Sequence, residues 1–161
     1  MKTKIAKSTK GNSLKFPLRI KSILVPLDFS TPSKKALRYA TAVAQQFKAK
    51  LILLHVVEPF PAADFDASFP LAMRDDTLID VAKTELERWV NKARIPSGVV
   101  DKILVRLGRS FHEITETADA HKVDLIIIST HGYTGLKHVL LGSTTERVVR
   151  HARRPVLVVR L

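Results

Sequence analysis

The sequence contains no cysteine, which excludes disulfide bonds and metal sites built on thiolates. No apolar run approaches the length of about 20 residues that a helix needs to cross a membrane. The basic amino terminus lacks the apolar segment of a secretory signal, so we expect a cytoplasmic protein. What is present is a chain of 161 residues, 45% of them hydrophobic, which suits one domain with one core.

Two common phosphate-binding signatures are also missing. Neither G-x-x-x-x-G-K-[ST] nor G-x-G-x-x-G occurs in the chain, which excludes a P-loop and the dinucleotide fingerprint. The six histidines share no ligand spacing, so they predict no zinc site. His131 is the one histidine that we consider for ligand binding, because of the loop that surrounds it.

Positive charge is concentrated at the amino terminus. The net charge is +12, and residues 1–21 hold seven lysines and arginines and no acid, leaving +5 for the rest. We expect residues 1–20 to form a solvated, disordered extension and residues 21–161 to form a single domain. Nucleic-acid binding through this tail is the less favoured alternative, since only Phe16 is available there for base stacking.

Apolar strand-like segments alternate with segments of helical periodicity. The expected strands are residues 22–27, 50–57, 102–106, 124–128 and 155–159. The expected helices start near residues 32, 75, 110 and 143, and the Pro-rich segment 58–71 between them is expected to be a loop. This order predicts an α/β fold, a five-stranded parallel sheet with helices on both faces and strand order 3-2-1-4-5. The third strand is the most polar, which favours an edge position.

Helix starts are indicated by capping patterns. Thr31 is the expected N-cap of the first helix, with Pro32 at its first position, and Ala36, Leu37, Ala40, Val43, Ala44 and Phe47 are expected to face the core. Ser110 with Glu113 and Ser143 with Glu146 match the capping-box pattern.

The most informative stretch follows the fourth strand. Residues 129–135 form a Ser- and Gly-rich loop, and residues 142–146 lead into the last helix. A strand, a glycine-containing loop and a helix N-terminus form an anion cradle, because free N–H groups converge there and the helix dipole favours negative charge. The alternative is an ordinary turn with a self-satisfied helix cap.

Ligands in open α/β sheets bind beyond the carboxyl ends of the strands, where the winding reverses. If the first and fourth strands are neighbours, Pro26, Leu27 and Asp28 face the glycine loop across one crevice. Asp28 then suits a ribose hydroxyl or a metal, while the loop amides suit phosphate. The alternative makes Asp28 a local turn residue, and both functions are compatible.

A second basic cluster comprises Arg147, Arg150, Arg153 and Arg154. It either attracts acidic partners or the phosphate tail, or it complements the dipole at a helix C-terminus and stays solvated. The second interpretation is favoured.

Taken as a whole, residues 22–160 resemble a universal stress protein domain. The matching segments are ILVPLDFS at 23–30, LLHVV at 53–57, DLII at 124–127 with the loop that follows, and residues 143–159. The resemblance implies a Rossmann-like fold of the adenine nucleotide alpha hydrolase type. It extends to the ATP-binding branch, whose motif has the form G-x2-G-x9-G-[ST]: Gly132, Gly142 and Ser143 match it, whereas Ser129 replaces the first glycine.

The resemblance also implies a set of nucleotide-binding residues. Asp28 is implied near the ribose or the metal, Val56 near adenine, residues 129–134 around ribose and phosphates, and residues 142–144 at the phosphate tail. The full candidate set is Pro26, Leu27, Asp28, Val56, Ile128, Ser129, Thr130, His131, Gly132, Tyr133, Thr134, Gly135, Gly142, Ser143 and Thr144.

The resulting expectation is a stress-response or signalling module that binds ATP, or AMP or ADP, with Mg²⁺ held through the phosphates and possible help from Asp28. No lysine comparable to that of a P-loop lies in the loop, so no catalytic residue is assigned and turnover is expected to be slow at best. The resemblance implies a homodimer through strand residues 156–159, an unknown protein partner and no membrane association. The alternative is a nucleotide-free interaction module of the same fold, in which Ser129 marks a closed site.

Overall fold

The computed structural model of the protein describes residues 18–58, 75–130 and 142–160. Most of the expected basic extension, the 58–71 loop beyond Glu58, and loop residues His131, Gly132, Tyr133, Thr134 and Gly135 lie outside the described residues. Within the described residues, five strands alternate with four helices. In that part of the chain, no helix is both long and apolar enough to cross a bilayer.

The strands form one parallel sheet in the order β3-β2-β1-β4-β5. Their bounds are Ser22–Pro26 for β1, Lys50–Val57 for β2, Val100–Leu107 for β3, Leu125–Ser129 for β4 and Val156–Val159 for β5. The predicted order is confirmed, including the edge position of β3. The winding reverses between β1 and β4, which pair directly through Ile23 with Leu125 and Leu24 with Ile126.

The helices cover both faces of this sheet. Their bounds are Thr31–Phe47 for α1, Asp75–Lys92 for α2, Ser110–Ala120 for α3 and Ser143–His151 for α4. Because alternate residues of a strand point to opposite faces, each strand supplies two cores. Leu51 and Leu53 pack with α1 and α2 on one face, and Ile52 and Leu54 pack with α3 and α4 on the other.

All three helix starts differ from the capping predictions. The N-cap of α1 is Ser30, whose side chain accepts the N–H of Ser33 at 3.1 Å, so Thr31 is already helical. The N-caps of α3 and α4 are Arg109 and Gly142, and neither makes a side-chain capping bond. Both predicted capping boxes are therefore wrong. Each prediction placed the cap one residue late. Helix ends vary by one or two residues, and a sequence pattern holds no information on the tertiary contacts that set them.

The core prediction for α1 holds for most of its apolar residues. Ala36, Leu37, Ala40 and Ala44 are buried, and Val43 packs at the margin of the core. Phe47 is wrong: at the last helical position it is 39% exposed. The chain turns there through Lys48, which adopts a left-handed conformation with φ 55° and directs β2 back into the sheet.

Candidate functional site

A cleft of about 400 Å³ opens at the carboxyl ends of β1 and β4, where the sheet winding reverses. Its volume falls within the range of roughly 300–1,000 Å³ that is usual for small-molecule sites. Described residues that line it are Pro26, Leu27, Asp28, Ser33, Leu54, Val56, Glu58, Ser110, Ile114, Ile128, Ser129, Gly142, Ser143, Thr144 and Thr145.

One wall of the cleft is apolar. Leu54 and Val56 are two residues apart on β2 and therefore share a face with Ile128 of β4. Ile114 reaches this face from α3. Leu54, Ile114 and Ile128 are buried, and Val56 is half-buried at the open end. A flat apolar group has a surface to contact at this wall.

The acidic side of the cleft is held by the start of α1. The Asp28 Oδ1 atom accepts hydrogen bonds from the backbone N–H of Ser30 at 3.1 Å and from its hydroxyl at 2.5 Å. Ser30 in turn caps the helix through Ser33. Asp28 is thus a turn residue, as its structural interpretation predicts, and it also lines the cleft. Because both hydrogen bonds within the turn go to Oδ1, Oδ2 is available for a further hydrogen bond.

The opposite side of the cleft is the first turn of α4. The Gly142 N–H donates to the Thr130 carbonyl at 2.7 Å, and the buried Thr145 hydroxyl donates to the Ser129 carbonyl at 2.7 Å. The Thr130 N–H donates to the Val159 carbonyl at 3.0 Å. These bonds fix the helix start against the end of β4. The N–H groups of a first helical turn have no partner inside the helix, so Ser143 and Thr144 present donors at the cleft.

Glu58 lies at the end of β2 and reaches the start of α3. Its Oε1 atom accepts the Ser110 backbone N–H at 2.7 Å. The side-chain and backbone hydrogen bonds from Ser110 hold the pKa of the Glu58 carboxyl below its usual range; partial burial opposes this, and Arg109 and Arg147 add to it. A side chain that follows β2 thus satisfies the first N–H of α3, which is not one of the N–H groups that a Ser110 cap would bind.

A smaller cavity of about 230 Å³ continues from the cleft between α3 and α4. It shares Glu58, Ser143 and Thr144 with the cleft and adds Arg109, Phe111 and Arg147. The Arg147 guanidinium carbon lies 5.3 Å from the centre of the Phe111 ring, a cation–π arrangement. Two guanidinium groups therefore border this extension.

The structure brings together most of the described residues of the candidate set. The residues that line the cleft are Pro26, Leu27, Asp28, Val56, Ile128, Ser129, Gly142, Ser143 and Thr144. Thr130 is buried behind them and accepts the Gly142 N–H instead of lining the cleft. His131, Gly132, Tyr133, Thr134 and Gly135 lie outside the described residues.

Sequence reasoning missed several lining residues. Leu54 was available from the alternation along β2, since it shares a face with Val56. Glu58, Ser33, Ser110, Ile114 and Thr145 come from other elements and join the cleft only through packing. Among residues 18–58, 75–130 and 142–160, no group of three or more histidine or acidic side chains is arranged to hold a metal ion.

An open parallel sheet wound in both directions, with a cleft at its reversal, defines a doubly wound α/β protein, a class in which ligands bind at the switch point. The universal stress protein family profile matches residues 19–160, and this chain belongs to that family. Universal stress protein MJ0531 of Methanocaldococcus jannaschii is 34% identical over 140 residues, covering 87% of this chain and 82% of the relative. Universal stress protein MJ0577 of the same organism is 32% identical over 154 residues, covering 87% and 94%.

Solved structures share the fold. The structure of MJ0577 superposes with a TM-score of 0.69 at 30% identity and covers 88% of this chain and 96% of its own. A universal stress protein in complex with cAMP gives a TM-score of 0.61 at 22% identity, covering 88% and 98%. A universal stress protein from Archaeoglobus fulgidus in complex with dAMP gives a TM-score of 0.59 at 20% identity, and the match covers 88% of this chain and 98% of that one. At these two identities the likeness shows the fold alone.

Proposed function

We propose that the chain is an adenine-nucleotide-binding universal stress protein that holds ATP in the cleft between β1 and β4. The observation that carries the proposal is the opposition of Asp28 and the first turn of α4 across one cleft, with an apolar wall between them. Such a cleft offers each part of a nucleotide a chemically matched surface. The sequence match of Gly132, Gly142 and Ser143 to the ATP-binding motif supports the same ligand.

The apolar wall suits the base. Val56 is half-buried at the open end, and Leu54 and Ile128 form a buried floor beside it. A purine ring placed there buries apolar surface of both the ring and the protein, which stabilises the complex by roughly 25 cal/mol for each Å² removed from water. Asp28 at the end of β1 then lies where a ribose hydroxyl needs an acceptor.

The start of α4 suits the phosphates. Its dipole places partial positive charge at residues 143–145, and the unpaired N–H groups of that turn point an array of donors toward an anion. The residues would hold Mg²⁺ only through the phosphates, with Asp28 as the one acid of the proposed nucleotide set. The ion would neutralise phosphate charge there.

Ser129 stands where the ATP-binding motif has glycine. Its side chain is buried, with 6% exposure, and lies at the cleft margin. A small polar side chain leaves the cleft open at about 400 Å³, which favours a functional site over the closed, nucleotide-free alternative.

Two related structures were determined with cAMP and with dAMP, both adenine nucleotides. They support the proposal at the level of the fold. The wider proposal is a cytoplasmic stress-response module that dimerises through β5, an edge strand of the described sheet, and whose partner contacts follow nucleotide occupancy without efficient turnover.

The test is isothermal titration of the full chain with Mg-ATP. Asp28→Asn keeps an oxygen that accepts the two Ser30 bonds while removing the carboxylate charge, so the variant is expected to fold normally and to bind about tenfold more weakly. Asp101→Asn, at an exposed position on β3, is the matched control and is expected to bind like the native protein. Absence of binding by the native chain would overturn the proposal. Equal affinity of the native chain and Asp28→Asn would remove Asp28 from the site.

A further inference from the structure

The cavity between α3 and α4 is continuous with the proposed nucleotide cleft. It opens from the cleft at Ser143 and Thr144, the residues proposed to face the phosphates. Beyond them its lining adds Arg109, Phe111 and Arg147. A linear ligand that enters past the start of α4 therefore continues into a cavity bordered by two cations.

In the part of the chain that the structure describes, neither Arg109 nor Arg147 has a carboxylate within 4.0 Å. Among the described residues, the ion pairs within 4.0 Å join Arg88 to Glu85, Arg150 to Glu146 and Arg154 to Asp119. The other arginines of the last helix and turn thus have acidic partners or lie outside the cavity. Arg109 and Arg147 keep their donors for a ligand, and both are exposed at the rim.

The position of Arg147 is set by packing. Its guanidinium lies over the Phe111 ring at 5.3 Å, which holds the long side chain across the gap between α4 and α3. The electrostatic field in the gap already favours an anion, since the chain's own Glu58 carboxylate lies there against the Ser110 N–H. The pKa of Glu58 is lowered mainly by its hydrogen bonds with Ser110, and the positive charges of Arg109 and Arg147 add a smaller lowering in the same direction.

We propose that this cavity takes the terminal phosphates of a nucleoside polyphosphate, with Arg147 and Arg109 as the residues that make the protein prefer ATP over AMP. The inference rests on the proposed nucleotide site and adds the residues that distinguish nucleotides by the number of their phosphates. Planar guanidinium groups suit phosphate oxygens because they donate paired hydrogen bonds and stay charged at every working pH.

Glu58 acts in the opposite direction. Its carboxylate borders the same cavity, so each added phosphate meets one like charge as well as two opposite charges. The balance favours the polyphosphate, and neutralising Glu58 is expected to strengthen ATP binding more than AMP binding, because ATP places more phosphate charge beside this carboxylate. This opposite sign separates an electrostatic site from general damage to the protein.

The experiment compares dissociation constants for AMP and Mg-ATP by isothermal titration. We expect the native chain to bind ATP more tightly, and Arg147→Gln and Arg109→Gln each to reduce the ATP-to-AMP preference about five- to tenfold. Arg147→Lys keeps the charge and is expected to recover part of the preference. Glu58→Gln is expected to raise it. Arg153→Gln removes the same charge from an exposed position outside the cavity and serves as the control.

The outcomes separate the two proposals. Absence of binding by both nucleotides overturns the nucleotide site and this inference together. Equal binding of AMP and ATP, or a preference that survives in Arg147→Gln and Arg109→Gln as it does in Arg153→Gln, overturns the polyphosphate cavity alone. Circular dichroism on every variant identifies any loss of fold, and the charge-retaining Arg147→Lys variant keeps the test decisive if Arg147→Gln does not fold.

Discussion

Replacing Thr145 by valine tests whether one buried hydrogen bond fixes the start of α4 to the end of β4. The Thr145 hydroxyl is buried, with 4% exposure of the residue, and donates to the Ser129 carbonyl at 2.7 Å. Valine has nearly the same shape but no donor. The lost bond accounts for about 0.5–1.5 kcal/mol, and a poorly solvated carbonyl can add to it. The new methyl group recovers part of this in an apolar surrounding, so we expect a net loss of about 1–2 kcal/mol.

For a chain of this size, such a loss lowers the melting temperature by about 2–8 °C. Urea unfolding followed by circular dichroism measures the free energy directly, since an unchanged slope with a lower midpoint reports lost stability. Thr41→Val is the matched control. The Thr41 hydroxyl donates to the Leu37 carbonyl of its own helix at 2.8 Å, and that carbonyl retains its helical bond. We expect a change within about 0.5 kcal/mol there.

If Thr145→Val is as stable as Thr41→Val, the bond between α4 and β4 does not hold the helix start in place. The position of the donors at the cleft would then depend on other contacts. A large change in the urea slope would also contradict the reasoning, because it would indicate altered compactness instead of one lost bond.

Two further predictions concern the segment between β2 and α3. Because the folded-state pKa of Glu58 is lowered from its ordinary value of 4.5, the stability that its carboxylate contributes is complete above pH 4.5 and is lost as the pH falls through the folded-state pKa. Urea unfolding below pH 4.5 should therefore show a steeper loss of stability for the native chain than for Glu58→Gln, and the exposed control Glu116→Gln should behave like the native chain. Parallel curves for the native chain and Glu58→Gln would contradict the assignment. Gly108 has φ +152°, and a Cβ there would lie 2.6 Å from the Glu113 Oε1 atom. Gly108→Ala is therefore expected to lower the free energy of unfolding by about 1–2 kcal/mol, and adding Glu113→Ala should restore only the part that is due to this steric contact. Full restoration in the double variant would show that the backbone conformation itself costs nothing.

Much of the fold could be predicted from local pattern. The continuous apolar run at residues 125–128 indicated a buried strand and the polar third strand an edge position, and the structure confirms both. The helix starts could not be placed to the residue, because the true N-caps Ser30, Arg109 and Gly142 are each followed directly by a serine or threonine, residue types that favour the N-cap position. At α3 the deciding partner is Glu58, 52 positions away along the chain.

The candidate site divides in the same way. Asp28 and Ser143 were identified from sequence because they lie at the end of a strand and the start of a helix, positions that parallel topology directs to one edge, whereas Val56 was implied by the family resemblance. Ser110 and Ile114 belong to α3 and Arg109 is its N-cap, and no local pattern relates that helix to the cleft. Its register against α4 depends on which side chains fill the gap, such as Arg147 over Phe111.

The sequence by itself determined the class of protein, since hydrophobic periodicity specifies strands, helices and their order, and order restricts a parallel sheet to few windings. Only the tertiary structure decided the shape and charge of the cleft. Six elements meet there, and the distances between side chains from different elements depend on how the two cores pack. Packing of that kind is a property of all the contacts together, which is why Glu58, Arg109 and Arg147 became neighbours only in the folded chain.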